Sequence, residues 1–254
     1  MSWHPETYAR FLGPRTRPAL DLVNAVPLAT VHYAADLGCG PGNSTAVLRA
    51  RWPNAALTGI DSSPEMLAAA AREGPAGVRW EQADLRSYRP ESPLDLLFSN
   101  ATLQWVDEHE TLFPRLLEAV RPGGVLAVQM PRNFEAPSHV ALRELAAEPP
   151  WRDALNGVLR LEPVASPAAY LGWLAGATTL DVWETEYHHV LEGEDPVLSW
   201  VSGTALVPVR AALGDHAFPP FRAALGERLR VAYPARHDGR TVFPFRRIFV
   251  VATR

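Results

Sequence analysis

The ten residues Ala35-Asp36-Leu37-Gly38-Cys39-Gly40-Pro41-Gly42-Asn43-Ser44 constrain this chain more than any other stretch of it. An apolar run ends at Ala35, a glycine-rich turn follows, and helical spacing takes over from Ser44. A second apolar run, Ala56 to Ile60, closes on Asp61. A strand, a glycine turn and a helix start, with an acid one strand later, describe a nucleotide-shaped pocket in a parallel sheet. The spacing narrows the ligand further. Dinucleotide-binding turns read G-x-G-x-x-G, where the third glycine lets the helix pack close to the strand. This chain reads G-x-G-x-G, with Asn43 in place of that glycine and Asp36 just ahead of the turn. An anion there suits a cationic ligand better than a pyrophosphate. The turn therefore points to S-adenosylmethionine, whose sulfonium and amino groups are positive, ahead of NAD.

Each residue can be set against what such a ligand needs. Gly38, Gly40 and Gly42 let the backbone come close. Asp36 lies in range of the methionine amino group, and Asp61 has two acceptor oxygens for the two ribose hydroxyls. Asp84, after the third expected strand, can accept the adenine amino group. Ser62, Leu85, Asn100 and Gln104 complete the candidate cofactor set. Taken singly, the glycines describe a tight turn and Asp61 an N-cap acid. Together with Asp84 they favour a ligand. Cys39, the one cysteine, reads as a small filler within the turn, with no metal-ligand spacing around it. No metal is expected.

The first half alternates strand and helix. Helical spacing runs from Thr16 to Val26, from Ser44 to Trp52, through Ser63-Pro64-Glu65 to Arg72, and from Glu108 to Val120. Strands are expected at Val31–Leu37, Ala56–Ile60, Val78–Gln82, Leu94–Ser99 and Val125–Met130, the last after the turn Arg121-Pro122-Gly123-Gly124. This alternation predicts an α/β, Rossmann-like fold with a mostly parallel sheet and helices on both faces. Asp36, Asp61, Asp84 and Asn100 all fall at or just after strand ends, so they converge on one rim. Beyond Met130 the pattern loosens. Helical pieces occupy Pro137–Leu161, broken at Pro149-Pro150, and Pro167–Ala175. Strands Leu180–Leu191 and Thr241–Ala252 bracket about fifty residues, far more than a hairpin needs, with helices at Trp200–Leu213 and Phe221–Val231. One domain over 1–254 follows. It has an N-terminal cap (1–30), a cofactor core (31–132), a helical lid (133–177 and 192–239) and C-terminal strands (178–191 and 240–254).

The net charge of −4 offers no basic field for nucleic acid and no polybasic membrane patch. A start lacking a basic then apolar leader, and no apolar run of spanning length, lead to the expectation of a cytoplasmic, soluble monomer acting on a small molecule.

The glycine turn, Asp61 and Asp84 resemble the class I S-adenosylmethionine-dependent methyltransferases. More selective segments make the chain similar to one family within them, the trans-aconitate 2-methyltransferases. These are Tyr8-Ala-Arg-Phe11 through Arg15-Thr-Arg17-Pro18, Thr58-Gly59-Ile60-Asp61-Ser62-Ser63-Pro64, Asn100-Ala101-Thr102-Leu103-Gln104-Trp105, Gly124-Val125-Leu126-Ala127-Val128-Gln129-Met130-Pro131, and the strand carrying Trp183, Tyr187 and His189. The resemblance implies a seven-stranded sheet and methylation of a carboxylate of trans-aconitate to a monomethyl ester. A tricarboxylate calls for arginines and hydrogen-bond donors. The candidate acceptor set is Tyr8, Arg15, Arg17, Trp105, Gln129, Tyr187, His189 and Arg247, with His189 and Tyr8 as positioning groups. At least one of Arg15 and Arg17 is expected to meet an acid of its own helix, such as Asp21. Strand alternation puts Tyr187 and His189 on one face and leaves His188 to pack or meet solvent.

An ionised carboxylate acceptor needs no general base, whereas a hydroxyl or amine does. One departure stands out. The family pattern W-V-x-x-T-x-L-R-P reads here Trp200-Val-Ser-Gly-Thr-Ala-Leu206-Val207-Pro208. If that arginine touched a substrate carboxylate, its loss would cost about 1–3 kcal/mol, with Arg210 as a substitute one turn on. The rival readings are methylation of a carrier-bound malonyl thioester, an NAD-dependent oxidoreductase, and a ligand-binding fold without catalysis.

Overall fold

The computed structural model describes residues 13 and 16–254. Tyr8 and Arg15 lie outside the described residues. The chain divides into two compact units. The first holds Met1–Pro131, Pro163–Thr185 and Arg247–Arg254, the second Arg132–Glu162 and Glu186–Arg246.

The first unit is built on the strands β1 (Tyr33–Leu37), β2 (Ala56–Asp61), β3 (Val78–Gln82), β4 (Leu94–Asn100) and β5 (Val120–Pro131), with the C-terminal part of β7 (Thr241–Thr253) and the start of β6 (Thr179–Leu191). They form one seven-stranded sheet in the order β3-β2-β1-β4-β5-β7-β6. The pairs among β1 to β5 are parallel, and β7 runs antiparallel to β5. The strand order reverses between β1 and β4, the place where such sheets open a crevice at their carboxyl ends. Leu96, Leu97, Phe98, Val125, Leu126, Ala127 and Val128 are all fully buried, as a central strand covered on both faces requires. Helices Arg17–Ala25, Asn43–Arg51, Pro64–Glu73, His109–Glu118 and Pro167–Trp173 belong to this unit. The helix at Pro64 starts as its residues dictate: Ser63 caps it by accepting the Met66 N–H, and Pro64 occupies the first turn.

Two buried polar groups brace this unit, one between strands and one between helices. Asp95, near the start of β4, accepts the N–H groups of His32 (2.6 Å) and Tyr33 (2.9 Å) and the Arg121 guanidinium. Burial alone would raise this carboxyl, but those donors hold it below the usual carboxylate range. His109 Nε2 lies 2.9 Å from the Leu103 carbonyl, which can only accept, so Nε2 carries the proton. Nδ1 then accepts the Tyr170 hydroxyl at 2.7 Å. Tyr170 also packs 4.7 Å from the Phe113 ring. Segment Pro163–Thr185 thus belongs to the sheet unit, and the expected lid range 133–177 runs across that boundary.

Strand β5 begins at Val120, five residues before the expected start, so Arg121-Pro122-Gly123-Gly124 is strand edge where a turn was expected. The pairing with β4 shifts there, from Leu94 opposite Val120 to Leu96 opposite Val125. Gly123 takes up the extra length at φ +76°, and Pro122 falls where the ladder is interrupted and no N–H is needed.

The second unit holds helices Pro137–Ala146, Arg152–Leu155, Pro196–Ser202 and Val207–Ala232, with the C-terminal half of β6 and the start of β7. The helix expected over Trp200–Leu213 is in fact two. Ser202 Oγ turns back to the Leu198 carbonyl (2.6 Å) and Gly203 closes the first helix. The second continues through the expected Phe221–Val231 segment, with a break at Gly214. Its core gathers Leu142, Leu145, Leu198, Leu206, Phe221, Leu225 and Phe243, and Trp151 meets Phe221 edge-on at 5.3 Å. Each such side chain contributes about 1.5–3 kcal/mol by leaving water.

Candidate functional site

A crevice of about 710 Å3 opens at the carboxyl ends of β1, β2 and β4. It brings together seven of the ten cofactor candidates: Gly38, Gly40, Asp61, Ser62, Asp84, Leu85 and Asn100. Trp105, an acceptor candidate, lines the same crevice and is 52% exposed.

The turn after β1 is self-contained. Gly38 and Cys39 donate their N–H groups to the Ile60 carbonyl (2.7 and 3.0 Å), Gly42 donates to the Cys39 carbonyl (3.0 Å), and Gly40 donates to Asp61 Oδ2 (2.9 Å). A pyrophosphate-binding turn must keep its amides free for the anion. Here those four are used. Gly38 sits at φ +70°, and a Cβ on it would run into the Thr102 side chain, so no other residue fits there. Thr102 in turn donates its hydroxyl toward the Gly38 carbonyl (3.0 Å).

The acceptors tell the complementary story. Asp61 uses Oδ1 to take the Ser63 N–H (2.9 Å) and Oδ2 to take the Gly40 N–H. Each oxygen keeps spare lone-pair capacity beside the crevice, which suits a pair of vicinal hydroxyls. Asp36 does not line the crevice; it is 1% exposed, and its Oδ2 accepts the hydroxyls of Ser44 (2.7 Å) and Thr45 (2.6 Å). Burial pushes its carboxyl up to about 6, against those two hydroxyls, which pull it down. Asp36 Oδ1 and Asn100 Oδ1 are buried with no hydrogen-bond partner among the described residues. A site with consumed amides and orphaned acceptors fits an ammonium-bearing ligand and does not fit a pyrophosphate.

The remaining candidates fall into place by geometry. Gly42 starts the helix Asn43–Arg51 in the left-handed region and does not line the crevice. Gln104 does not line it either; its Nε2 donates to the Ala101 carbonyl (2.7 Å). That bond braces Ala101, a non-glycine residue at φ +56° on the crevice wall, a conformation costing about 1–2 kcal/mol. Asp84 is clasped by Arg86, with Nε 3.0 Å from each carboxylate oxygen and Nη2 2.7 Å from Oδ2. That clasp, led by the side-chain bond, holds Asp84 below the ordinary carboxylate range. Burial and the neighbouring Asp36 and Asp61 raise the Cys39 thiol far above its usual range, which disfavours the thiolate form.

Among acceptor candidates, Gln129 and Arg247 are adjacent. They sit near the ends of β5 and β7, 0% and 6% exposed, with Arg247 Nη1 3.4 Å from Gln129 Oε1. Gln129 Nε2 is buried without a partner among the described residues. Arg17 pairs with Asp21 at 3.8 Å, as expected. In the second unit Tyr187 and His189 share a face with rings 6.3 Å apart, and His189 stacks on Trp200 at 4.7 Å. His188 turns outward to Glu186 at 3.3 Å.

Sequence reasoning missed Ser44, Thr45, Ala101, Thr102 and Arg86. Only the pair Ser44-Thr45 left a trace, as hydroxyls in the first turn of a helix that follows an acid.

A family profile described as "Methyltransferase domain" matches residues 34–124. Trans-aconitate 2-methyltransferase of Azoarcus sp. (strain BH72) is 46% identical over 254 residues, covering 100% of this chain and 99% of that protein. The enzyme of that name from Streptomyces avermitilis is 50% identical over 260 residues, covering 99% and 96%. Among solved structures, the YcgJ protein of Bacillus subtilis matches with a TM-score of 0.57 at 15% identity, covering 94% of this chain and 99% of that one. Phosphoethanolamine N-methyltransferase 2 of Haemonchus contortus, solved with S-adenosyl-L-methionine, matches at 0.56 and 16% identity; 98% of this chain spans 56% of it. At such identities the structures speak for the fold alone, a class I methyltransferase fold.

Proposed function

The chain belongs to the trans-aconitate 2-methyltransferase family, and from that premise we propose that it transfers the methyl group of S-adenosylmethionine to a carboxylate of trans-aconitate, giving the monomethyl ester. The observation that carries the acceptor half is the buried Gln129–Arg247 pair. Bound cofactor supplies an electrophilic methyl on a cationic sulfur.

Everything else falls to the chain's own groups. Asp61 is the anchor for the ribose hydroxyls, held in place by two backbone donors. Asn100 presents an unpaired acceptor on the crevice wall for the cationic end, and the buried Asp36 adds its charge from outside that lining. Asp84, positioned by Arg86 on the crevice wall, would accept the adenine amino group, with Ser62 and Leu85 in the same lining. An acceptor carboxylate is already ionised at neutral pH, so no residue has to take its proton. What the protein must supply is an oriented, water-excluded anion. A buried guanidinium with a neighbouring amide donor does that in a fork geometry that a lysine could not reproduce. Trp105, Tyr187, His189 and Arg17, with Tyr8 and Arg15 of the N-terminal cap, are read as the remaining acceptor groups, orienting the substrate without shuttling protons. The helical segments 133–177 and 192–239 are read as the lid, and the enzyme as a cytoplasmic monomer that uses neither metal, nucleic acid nor membrane.

One assay tests the reading. Purified protein is incubated with methyl-labelled cofactor and a panel of di- and tricarboxylates. Trans-aconitate should gain label, and mild alkali should release it as methanol, the mark of an ester. Label that resists alkali, or that appears only on an amine or hydroxyl acceptor, would overturn it.

A further inference from the structure

A second cavity of about 700 Å3 lies wholly within the second unit. Val242, Pro244 and Arg246 of β7 line it, whereas the alternate residues Phe243 and Phe245 turn the other way to pack on Trp200 (both 6.0 Å). On β6, Glu186 lines it, while His189 packs with Trp200 on the opposite face. Successive side chains of a strand point to opposite sides, so this cavity is on the face away from Tyr187 and His189.

Its chemistry is that of an anion site. Three guanidiniums, Arg132, Arg236 and Arg246, face two carboxylates, Glu135 and Glu186. Arg246 and Glu186 are 3.7 Å apart, and Arg236 makes no ion pair among the described residues. Asn133, where β5 gives way to the helix Pro137–Ala146, is 4% exposed and lines the cavity. Neither its Oδ1 nor its Nδ2 has a hydrogen-bond partner among the described residues. A buried amide left unpaired on both sides is rare. It asks for a ligand that accepts from Nδ2 and donates to Oδ1. Separated cations ask that the same ligand carry more than one anionic group.

We propose that this cavity binds a small hydroxylated polycarboxylate at a site distinct from the Gln129–Arg247 pair. A hydroxyl would donate to Asn133 Oδ1, one carboxylate would accept from Nδ2, and further carboxylates would meet Arg236 and Arg246. A methyltransferase that takes one polycarboxylate as acceptor would thereby carry a second site that senses a related anion. The binding itself does not rest on the acceptor assignment, because it is read without methyl transfer.

The test uses the full chain saturated with S-adenosylhomocysteine and titrated calorimetrically with citrate, then with inorganic phosphate. Citrate should bind one per chain, weakened about fivefold or more by Arg236→Gln. Asn133→Leu should weaken it likewise, and Arg247→Gln should leave it unchanged. Arg236 is exposed, so its variant tests the site even if Asn133→Leu fails to fold. No binding of citrate up to about 20 mM would overturn the proposal. So would phosphate binding more tightly than citrate, or citrate binding that Arg247→Gln abolishes and Arg236→Gln spares.

Discussion

The sheet unit and the helical unit hold their shapes in opposite ways. In the first, polar side chains at or just after strand ends are bonded to the backbone or hydroxyls of neighbouring elements: Asp36 to Ser44 and Thr45, Asp61 to Gly40 and Ser63, Ser99 to the Leu37 carbonyl (2.9 Å), Thr102 to Gly38. Geometry there is fixed by directional bonds between short elements. In the second, the interior is an apolar cluster around Phe221, Leu225 and Phe243. Its arginine–acid pairs, such as Arg228–Glu148 (2.7 Å) and Arg230–Asp195 (2.6 Å), stay partly or well exposed. The lesson is that the cofactor crevice tolerates little change of residue type, while the helical unit tolerates changes of type and punishes changes of volume.

The largest expected effect probes that contrast directly. Phe221 is fully buried and touches Trp151, so Phe221→Ala should destabilise the protein by about 3–5 kcal/mol, read by urea denaturation with circular dichroism. Below the transition, affinity for S-adenosylhomocysteine should be unchanged, because every crevice-lining residue belongs to the sheet unit. A loss under about 1 kcal/mol, or a parallel loss of affinity, would break the division.

A smaller effect follows from the pH behaviour of Asp36, whose folded carboxyl titrates near 6 because burial penalises its charge. An unfolded carboxyl titrates near 4. This group's contribution to stability of the ligand-free protein is therefore fully present below about pH 4 and is lost as pH rises through about 6. Binding a cationic amino group has the reverse sign, since it needs the anion. Affinity for S-adenosylhomocysteine should fall up to about tenfold per unit below pH 6. Asp36→Asn should flatten that dependence. A flat profile in the unmodified protein, measured calorimetrically between pH 5 and 7 with that order of shift in view, would remove Asp36 from the charge recognition.

The same contrast explains how far the chain could be read unaided. Strand ends announce themselves, because a strand-like run closing on a polar residue is a local pattern; Asp36 and Asp61 close apolar runs, and Asp84 and Asn100 fall at or just after expected strand ends. The braces between them are not local. Thr102 meets Gly38 across 64 residues of chain, and Ala101 adopts a positive φ that alanine ordinarily avoids, so neither leaves a signal. In the helical unit the apolar spacing shows that helices exist, but tertiary packing sets their ends, and the expected Trp200–Leu213 helix is divided between Pro196–Ser202 and Val207–Ala232.

Val207 sharpens the point with the smallest effect of all. The family pattern has an arginine there, which gives the position the look of a substrate contact. In the structure Val207 is 57% exposed and opens the helix Val207–Ala232. Arg210, the apparent substitute, lies 3.8 Å from Asp215 and stacks over Phe218 at 5.8 Å. An arginine at an exposed first-turn position gains nothing from packing and is slightly disfavoured by the helix dipole, by a few tenths of a kcal/mol. Val207→Arg should therefore change stability by no more than about 0.5 kcal/mol. It should also shift KM for trans-aconitate by less than about threefold. A tenfold fall in KM, about 1.4 kcal/mol of added binding, would mean that this surface meets the acceptor and that the helical unit, too, recognises substrate through charge as well as shape.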